Sequence, residues 1–353
     1  MFDLDYLKGM KKLDPSSMME NVLNFPEMVK TGIRIGKDAK VPLDYKNASK
    51  VLFTGLGGSA IGGDILKNLL YDNSSVSITV NRNYTVPKWV GEDTLVFAVS
   101  HSGNTEETIS AFKDALSKKA KIIVITSGGA LKILAKENKI PVILVPGEKP
   151  PRASLPYLFF PVLIIMYKLG FAKVKTGELS ELLKILEMLK KTYAPEVKLE
   201  DNPAKKLASK LFAKPVIIFG SADSTDAVAT RWKCQLSENS KVITFACTIP
   251  EMNHNEIVSW GMLKKILRKF AVLFIRDEYE LPQIKKRFKL TKEVISKRAN
   301  WSSEICSVGN CMLVRMFSLI YLGDFTSVYL AILYKEDPTA IKIIEEFKNA
   351  LSE

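Results

Sequence analysis

Histidine is almost missing from this sequence: His101 and His254 are the two imidazoles in 353 residues. With so few, and with no HxH or HxxE pair, there is little from which to build a transition-metal site. Cysteine is scarce as well. Cys234, Cys247, Cys306 and Cys311 form no CxxC pair, which argues against structural zinc and for a reduced, cytoplasmic protein. The Walker pattern G-x-x-x-x-G-K-[ST] is missing, so no nucleoside triphosphatase loop is expected. No apolar run reaches the roughly 20 residues a membrane span needs. The greasiest stretch, LPYLFFPVLIIMY at residues 155–167, is interrupted by Pro161 and followed by Lys168, and reads as a buried helix. The opening MFDLDYLKGMKK carries acids and no apolar core, unlike a secretory signal.

What the chain does have is positive charge, a net +13. That balance suits an anionic partner such as a phosphorylated small molecule, a nucleic acid or an acidic membrane surface. The lysines, however, are spread through helical patterns such as LKILEMLKK at residues 183–191, as on a solvated surface, and are not massed in a tail. An apolar fraction of 47% with 25% charged residues is globular composition, and the length accommodates two domains.

The first forty residues look helical, with Asp14 as an N-cap and Pro15 at the first helical position. Beyond them, VLFTGLGGSAIGGDIL (51–66) is an apolar run, a glycine-rich turn and a helical pattern. SVSITVNRNY (75–84) alternates like a strand. TLVFAVSHSGNTEETISAFKDAL (94–116) and AKIIVITSGG (120–129) repeat the first design, and IPVILVPGE (140–148) is a further apolar strand. Continuous β-branched runs alternating with helices predict a parallel sheet covered on both faces. After a charged helix and a Pro/Asp/Asn connector, KPVIIFGSADSTDAVATRWKCQL (214–236) opens a second series, with strands at 241–250 and 270–277 and closing helices at 325–334 and 337–351. The expected division is a helical segment 1–45, an α/β domain 46–180, a helical connector 181–210 and a second α/β domain 211–353.

Three loops of the first half carry chemistry. SHSGNTEET (100–108) sits where a strand ends and a helix begins, the place at which open α/β sheets bind ligands. Ser100, Ser102 and Thr105 supply hydroxyls there, Gly103 allows a tight turn, and the helix N-terminus favours an anion. The bland reading is a helix cap with a capping box from Thr105. GLGGSAIGG (55–63) only approximates a dinucleotide fingerprint, yet the N–H groups of Gly57 and Gly58, with Ser59, suit a ligand. EKPPRASLPY (148–157) places Arg152 after two stiffening prolines, suited to a phosphate or a developing oxyanion, or else as a surface cation.

In order along the chain, GLGGSAIGG, SHSGNTEET, PPRASLP, RWKCQLSENSK and PEMNHNEI resemble the motif series of archaeal and bacterial bifunctional phosphoglucose/phosphomannose isomerases, built from two sugar-isomerase (SIS) domains. The resemblance runs from about residue 15 to the end. It implies an α/β fold of two tandem SIS domains, each a mainly parallel, flavodoxin-like doubly wound sheet flanked by helices. It also implies metal-free interconversion of glucose 6-phosphate, and mannose 6-phosphate, with fructose 6-phosphate, without a cofactor, in a cytoplasmic homodimer. Ser100, Ser102 and Thr105 would hold the sugar phosphate, Gly57, Gly58 and Ser59 would line the site, and Arg152 would steady the enediolate. Glu238 matches the family's catalytic base and Lys348 a lysine of the C-terminal helix that assists ring opening. His254 matches a ring-opening histidine typically contributed by the neighbouring subunit.

Those residue types suit the chemistry. Moving a proton between C2 and C1 needs one well-placed carboxylate, charge stabilisation needs a guanidinium, and ring opening needs a group that exchanges protons near neutral pH. By themselves, Glu238 reads as a helix-end acid, His254 as a polar loop residue, and Lys342 rivals Lys348. His101 stands where the family usually has tyrosine, faces either sugar or solvent, and has no assigned role; Ser240 replaces a common alanine. The alternative function is a sugar-phosphate-sensing regulator on the same fold. Such proteins carry a DNA-binding helix-turn-helix, and residues 1–45 are too short for one and lack a basic recognition helix, so neither nucleic acid nor membrane is an expected partner. An amidotransferase half is disfavoured because no N-terminal cysteine nucleophile is present.

Overall fold

The apolar runs of the sequence become parallel strands and the amphipathic stretches between them become helices, as seen in a computed structural model that describes residues 2–173 and 175–352. Helices α1 (Leu7–Leu13), α2 (Met18–Leu23) and α3 (Phe25–Asp38) come first. Then follow β1 (Lys50–Thr54), α4 (Ile61–Leu69), β2 (Ser77–Asn81), β3 (Thr94–Val99), α5 (Glu106–Ser117), β4 (Lys121–Thr126), α6 (Gly129–Glu137), β5 (Val142–Leu144) and α7 (Leu155–Lys168). Helices α8 (Glu178–Tyr193) and α9 (Pro203–Leu211) precede β6 (Val216–Ser221), α10 (Asp226–Ser240), β7 (Thr244–Ile249), α11 (Lys264–Leu267) and β8 (Ala271–Arg276). The chain closes with α12 (Pro282–Ser296), β9 (Trp301–Cys306), α13 (Met312–Tyr334) and α14 (Lys342–Ser352). Two units form: Asn24–Leu183, and Met1–Leu23 together with Lys184–Glu353.

In the unit of residues 24–183, five parallel strands lie in the order β2-β1-β3-β4-β5. Every residue of β3 is buried, which is why its sequence is a continuous apolar run and not an alternating one. Leu52, Val96, Val124, Phe112 and Leu131 share one core on a face of this sheet. The strand order reverses between β1 and β3, so the carboxyl ends of these two strands border the crevice where such sheets take ligands. Helix α7 is buried over residues 155–166, Pro161 included, which accounts for its lack of a polar face.

The other unit repeats this plan with one strand fewer, in the order β7-β6-β8-β9, reversing between β6 and β8. Phe219, Val272, Phe274, Phe288 and Ile295 form a core there. Helix α13 is long and apolar enough to cross a membrane, but 94% of its apolar window is buried in protein. It also carries charge into the core. Asp324 accepts from Arg231 Nη2 at 2.7 Å and from Gln235 Nε2 at 2.8 Å, while Ser327 Oγ accepts from Asn239 Nδ2 at 2.9 Å. Arg231, Gln235 and Asn239 recur every four residues along one face of α10, so the two helices are joined by a polar seam. Burial pushes the Asp324 carboxyl upward, with the Arg231 guanidinium pulling the other way.

The first forty residues are helical as expected, in three helices. Several other expectations need correction. Asp14 is no N-cap followed by a helical proline: α2 starts at Met18, and the Asp14 carboxylate reaches forward to accept from Met18 N (2.7 Å) and Met19 N (2.8 Å). The strand expected over 75–84 is the shorter β2, the closing helix expected at 325–334 begins at Met312, and β9 was not anticipated.

Candidate active site

In the unit of residues 24–183 three loops leave the carboxyl edge of the sheet, following β1, β3 and β5. In the loop after β3, Ser100 Oγ and Thr105 Oγ1 are hydrogen-bonded at 2.9 Å, Gly103 N donates to Ser100 Oγ at 3.1 Å, and Asn104 N donates to Ser102 Oγ at 3.2 Å. Thr105 precedes α5 but its side chain makes no capping bond, and Thr108 Oγ1 is buried without a partner, so no capping box closes. The start of α5 is therefore left for another acceptor, as an anion cradle requires. Gly103 has φ +70°, and a Cβ there would fall 1.9 Å from the Gly128 carbonyl oxygen, so only glycine lets this loop lie so close to its neighbour.

In the loop after β1, Ser59 is buried and its Oγ accepts the His101 N–H at 3.2 Å, which stitches this loop to the serine/threonine loop. A Cβ on Gly58 would come within 2.9 Å of Arg152 N, so the glycine-rich loop abuts the Pro-Pro-Arg segment backbone to backbone. Gly57 is exposed beside it. Arg152 lies in the single 3-10 turn Pro151–Ala153 and is 3% exposed, which removes the reading as a surface cation. The sequence thus brings Gly58 against Arg152, Ser59 against the loop of Ser100, and Ser100 against Thr105, with Ser102 exposed at the rim.

In the other unit, Glu238 is half-buried in the last turn of α10. A carboxylate there opposes the helix dipole, at a cost of about 0.3–1 kcal/mol that helix stability alone would not select. His254 ends the 3-10 turn Glu251–His254 after β7 and is exposed. Its platform is fixed: Met252 and Trp260 are buried in the core, Asn253 Nδ2 donates to Thr291 Oγ1 at 2.8 Å, and Asn255 Nδ2 donates to Glu251 Oε1 at 2.7 Å. Lys348 is exposed on α14, and Lys342 begins the same helix. Glu238, His254 and Lys348 thus stand on three separate elements.

Residues 44–165 match the SIS domain family, and residues 200–351 match the bacterial phospho-glucose isomerase C-terminal SIS domain. A bifunctional phosphoglucose/phosphomannose isomerase of Caldicellulosiruptor bescii is 44% identical over 95% of this chain and 99% of its own. This chain belongs to the bifunctional phosphoglucose/phosphomannose isomerase family. The family's protein from Aquifex aeolicus is 35% identical over 85% of this chain and 90% of its own. A hypothetical protein of Thermus thermophilus, known from its crystal structure, shares the fold with a TM-score of 0.76 over 98% of this chain and 93% of that one, at 15% identity.

Within this family member, sequence reasoning left His101 without a place, facing either sugar or solvent. The ring does not face solvent: His101 is 4% exposed and its Nε2 lies 3.1 Å from the Pro146 carbonyl oxygen. Burial lowers its pKa from the ordinary value, against the pull of the Pro146 carbonyl. The seam behind Glu238 was also missed. The spacing of Arg231, Gln235 and Asn239 was its only signal, and the partner helix could not be named without the fold. Among the described residues no three His, Cys, Asp or Glu side chains gather where they could hold a metal ion.

Proposed function

We infer that this chain interconverts glucose 6-phosphate, and mannose 6-phosphate, with fructose 6-phosphate. The observation that carries the reading is the 44% identity, over almost the full length of both chains, to a protein named for these two activities. The local geometry supports it. Hydroxyls of Ser100, Ser102 and Thr105 at the start of an uncapped helix suit a sugar phosphate, with Gly57, Gly58 and Ser59 lining the site.

Glu238 removes the C2 proton as the C1 carbonyl becomes an enediolate, then returns the proton to C1 as C2 becomes the carbonyl, the hydroxyl proton passing from O2 to O1. Arg152, buried on a turn stiffened by Pro150 and Pro151, steadies the charge on those oxygens. His254 and Lys348 open the sugar ring. Mannose is the C2 epimer of glucose, so rotation about C2–C3 of the intermediate lets one base serve both substrates. The exposure of His254 on a fixed platform supports its use by a neighbouring subunit in a homodimer. Proton transfer of this kind needs no metal.

The test is to purify the protein with EDTA and follow fructose 6-phosphate formation from each aldose phosphate. Turnover of both is expected. No turnover of either overturns the isomerase reading, and loss of turnover on chelation overturns the metal-free route.

A further inference from the structure

We propose that the His101 imidazole is a positioning residue, latching the serine/threonine loop to the segment that leads into Arg152. The inference rests on the isomerase reading above. Four hydrogen bonds meet at this one residue. Its N–H donates to Ser59 Oγ at 3.2 Å, and its carbonyl accepts from Ser127 N at 3.0 Å and Ser127 Oγ at 2.6 Å. Its ring Nε2 is 3.1 Å from the Pro146 carbonyl oxygen. The loops after β1, β3, β4 and β5 are therefore all tied at His101.

The ring bond is the part that only a side chain of this reach supplies. A carbonyl oxygen accepts and never donates, so this contact requires the proton on Nε2. Burial at 4% exposure keeps water from competing for the bond. Between Pro146 and Arg152 lie five residues, two of them prolines with fixed φ, so holding Pro146 narrows where the Arg152 turn can sit. The other hold on that turn is the backbone of Gly58, packed against Arg152 N. Burial also opposes protonation of the ring, and no charged side chain figures among the causes of its shift. The latch thus stays closed as the pH falls toward the ordinary histidine value.

The experiment uses the full chain and two substitutions. H101F keeps the bulk of the ring and removes the donor, while H101Q keeps an amide N–H at a similar reach. With folding checked by circular dichroism, H101F is expected to lower kcat about tenfold with KM within about twofold, the loss of one buried hydrogen bond acting through Arg152. H101Q recovers kcat to within about threefold of wild type, and in an Arg152→Ala background H101F has no further effect. Wild-type kcat in H101F, a full additional loss in the Arg152→Ala background, or H101Q as poor as H101F each overturns the proposal. A measurement independent of activity uses the two histidines of the chain. Nitrogen-15 NMR of the wild type at about pH 7.5 is expected to show a protonated Nε2 on a ring whose signals H101F removes. A ring at that position with its proton on Nδ1 and none on Nε2 overturns the latch. A wild type inactive on hexose phosphates sinks the functional reading instead, and the NMR result then decides the latch alone.

Discussion

The two sheets share a strand order at their centres, yet the loops at matching places carry opposite chemistry. After β3 comes Ser100 to Thr105, with hydroxyls, a glycine and no acid; after β8, the matching strand, come Asp277, Glu278 and Glu280. Asp277 and Glu280 are engaged with their own unit. Arg315 Nε and Ser307 Oγ donate to Asp277 at 2.6 and 2.8 Å, and Arg276 Nη2 donates to Glu280 at 2.6 Å. After β6, Thr225 Oγ1 accepts from Ser221 N and donates to the Ile275 carbonyl, so that hydroxyl too is spent on the backbone. One sheet presents hydroxyls and helix N–H groups at this topological position, and the other presents carboxylates held by arginines. The fold supplies the crevice, and the side chains in each loop decide what enters it.

In the proposed mechanism, binding falls to one unit and proton transfer to the other, and this division can be broken at either. Glu238→Gln is expected to lower kcat on the order of 10²–10⁴-fold while calorimetric binding of glucose 6-phosphate persists. Normal turnover would move the base elsewhere, to Glu251 or Glu256 in the loop of His254. Next in size is the polar seam, which has no counterpart in the apolar core around Phe112. Asp324→Ala strands a buried guanidinium and is expected to cost about 3–5 kcal/mol in urea unfolding. A smaller loss would mean that Arg231 finds another acceptor.

Gly103→Ala should do the reverse of Glu238→Gln. Backbone strain of about 1–3 kcal/mol at the cradle should appear as a raised dissociation constant for glucose 6-phosphate. Unchanged affinity would separate the cradle from the substrate. The smallest effect is a pH slope. His101 has a lowered pKa when folded, so between that value and about 6.5 the unfolded chain binds more protons. Its contribution to stability is therefore full above about pH 6.5 and falls as the pH drops below it, by at most about 1.4 kcal/mol per pH unit. Urea midpoints from pH 7.5 to 5.5 should show this slope in the wild type and not in H101F.

How far the fold could be read in advance followed burial. β1, β3 and β4 stood out because both faces of a central parallel strand are covered, which makes the run continuous. β2 and β9 are edge strands, half-solvated along their length, and their polar residues hid their ends or their existence. Helix α13 was read too short because Arg315 and Asp324 break its apolar pattern; both are buried, paired with Asp277 and with Arg231. Asp14 was mistaken for a cap because its real acceptor role lies four and five residues ahead, across a turn.

By itself the sequence determined the alternation of strand and helix, the glycine and hydroxyl content of the cradle, and the order of motifs that marks the family. These are local properties, set by burial period and turn chemistry over a few residues. Only the tertiary structure decided that Arg152 is buried against Gly58, that Asp324 neutralises Arg231, and that His101 turns inward to Pro146. Each of those depends on partners tens of residues away, and a buried polar group takes its meaning from whichever partner the fold brings to it.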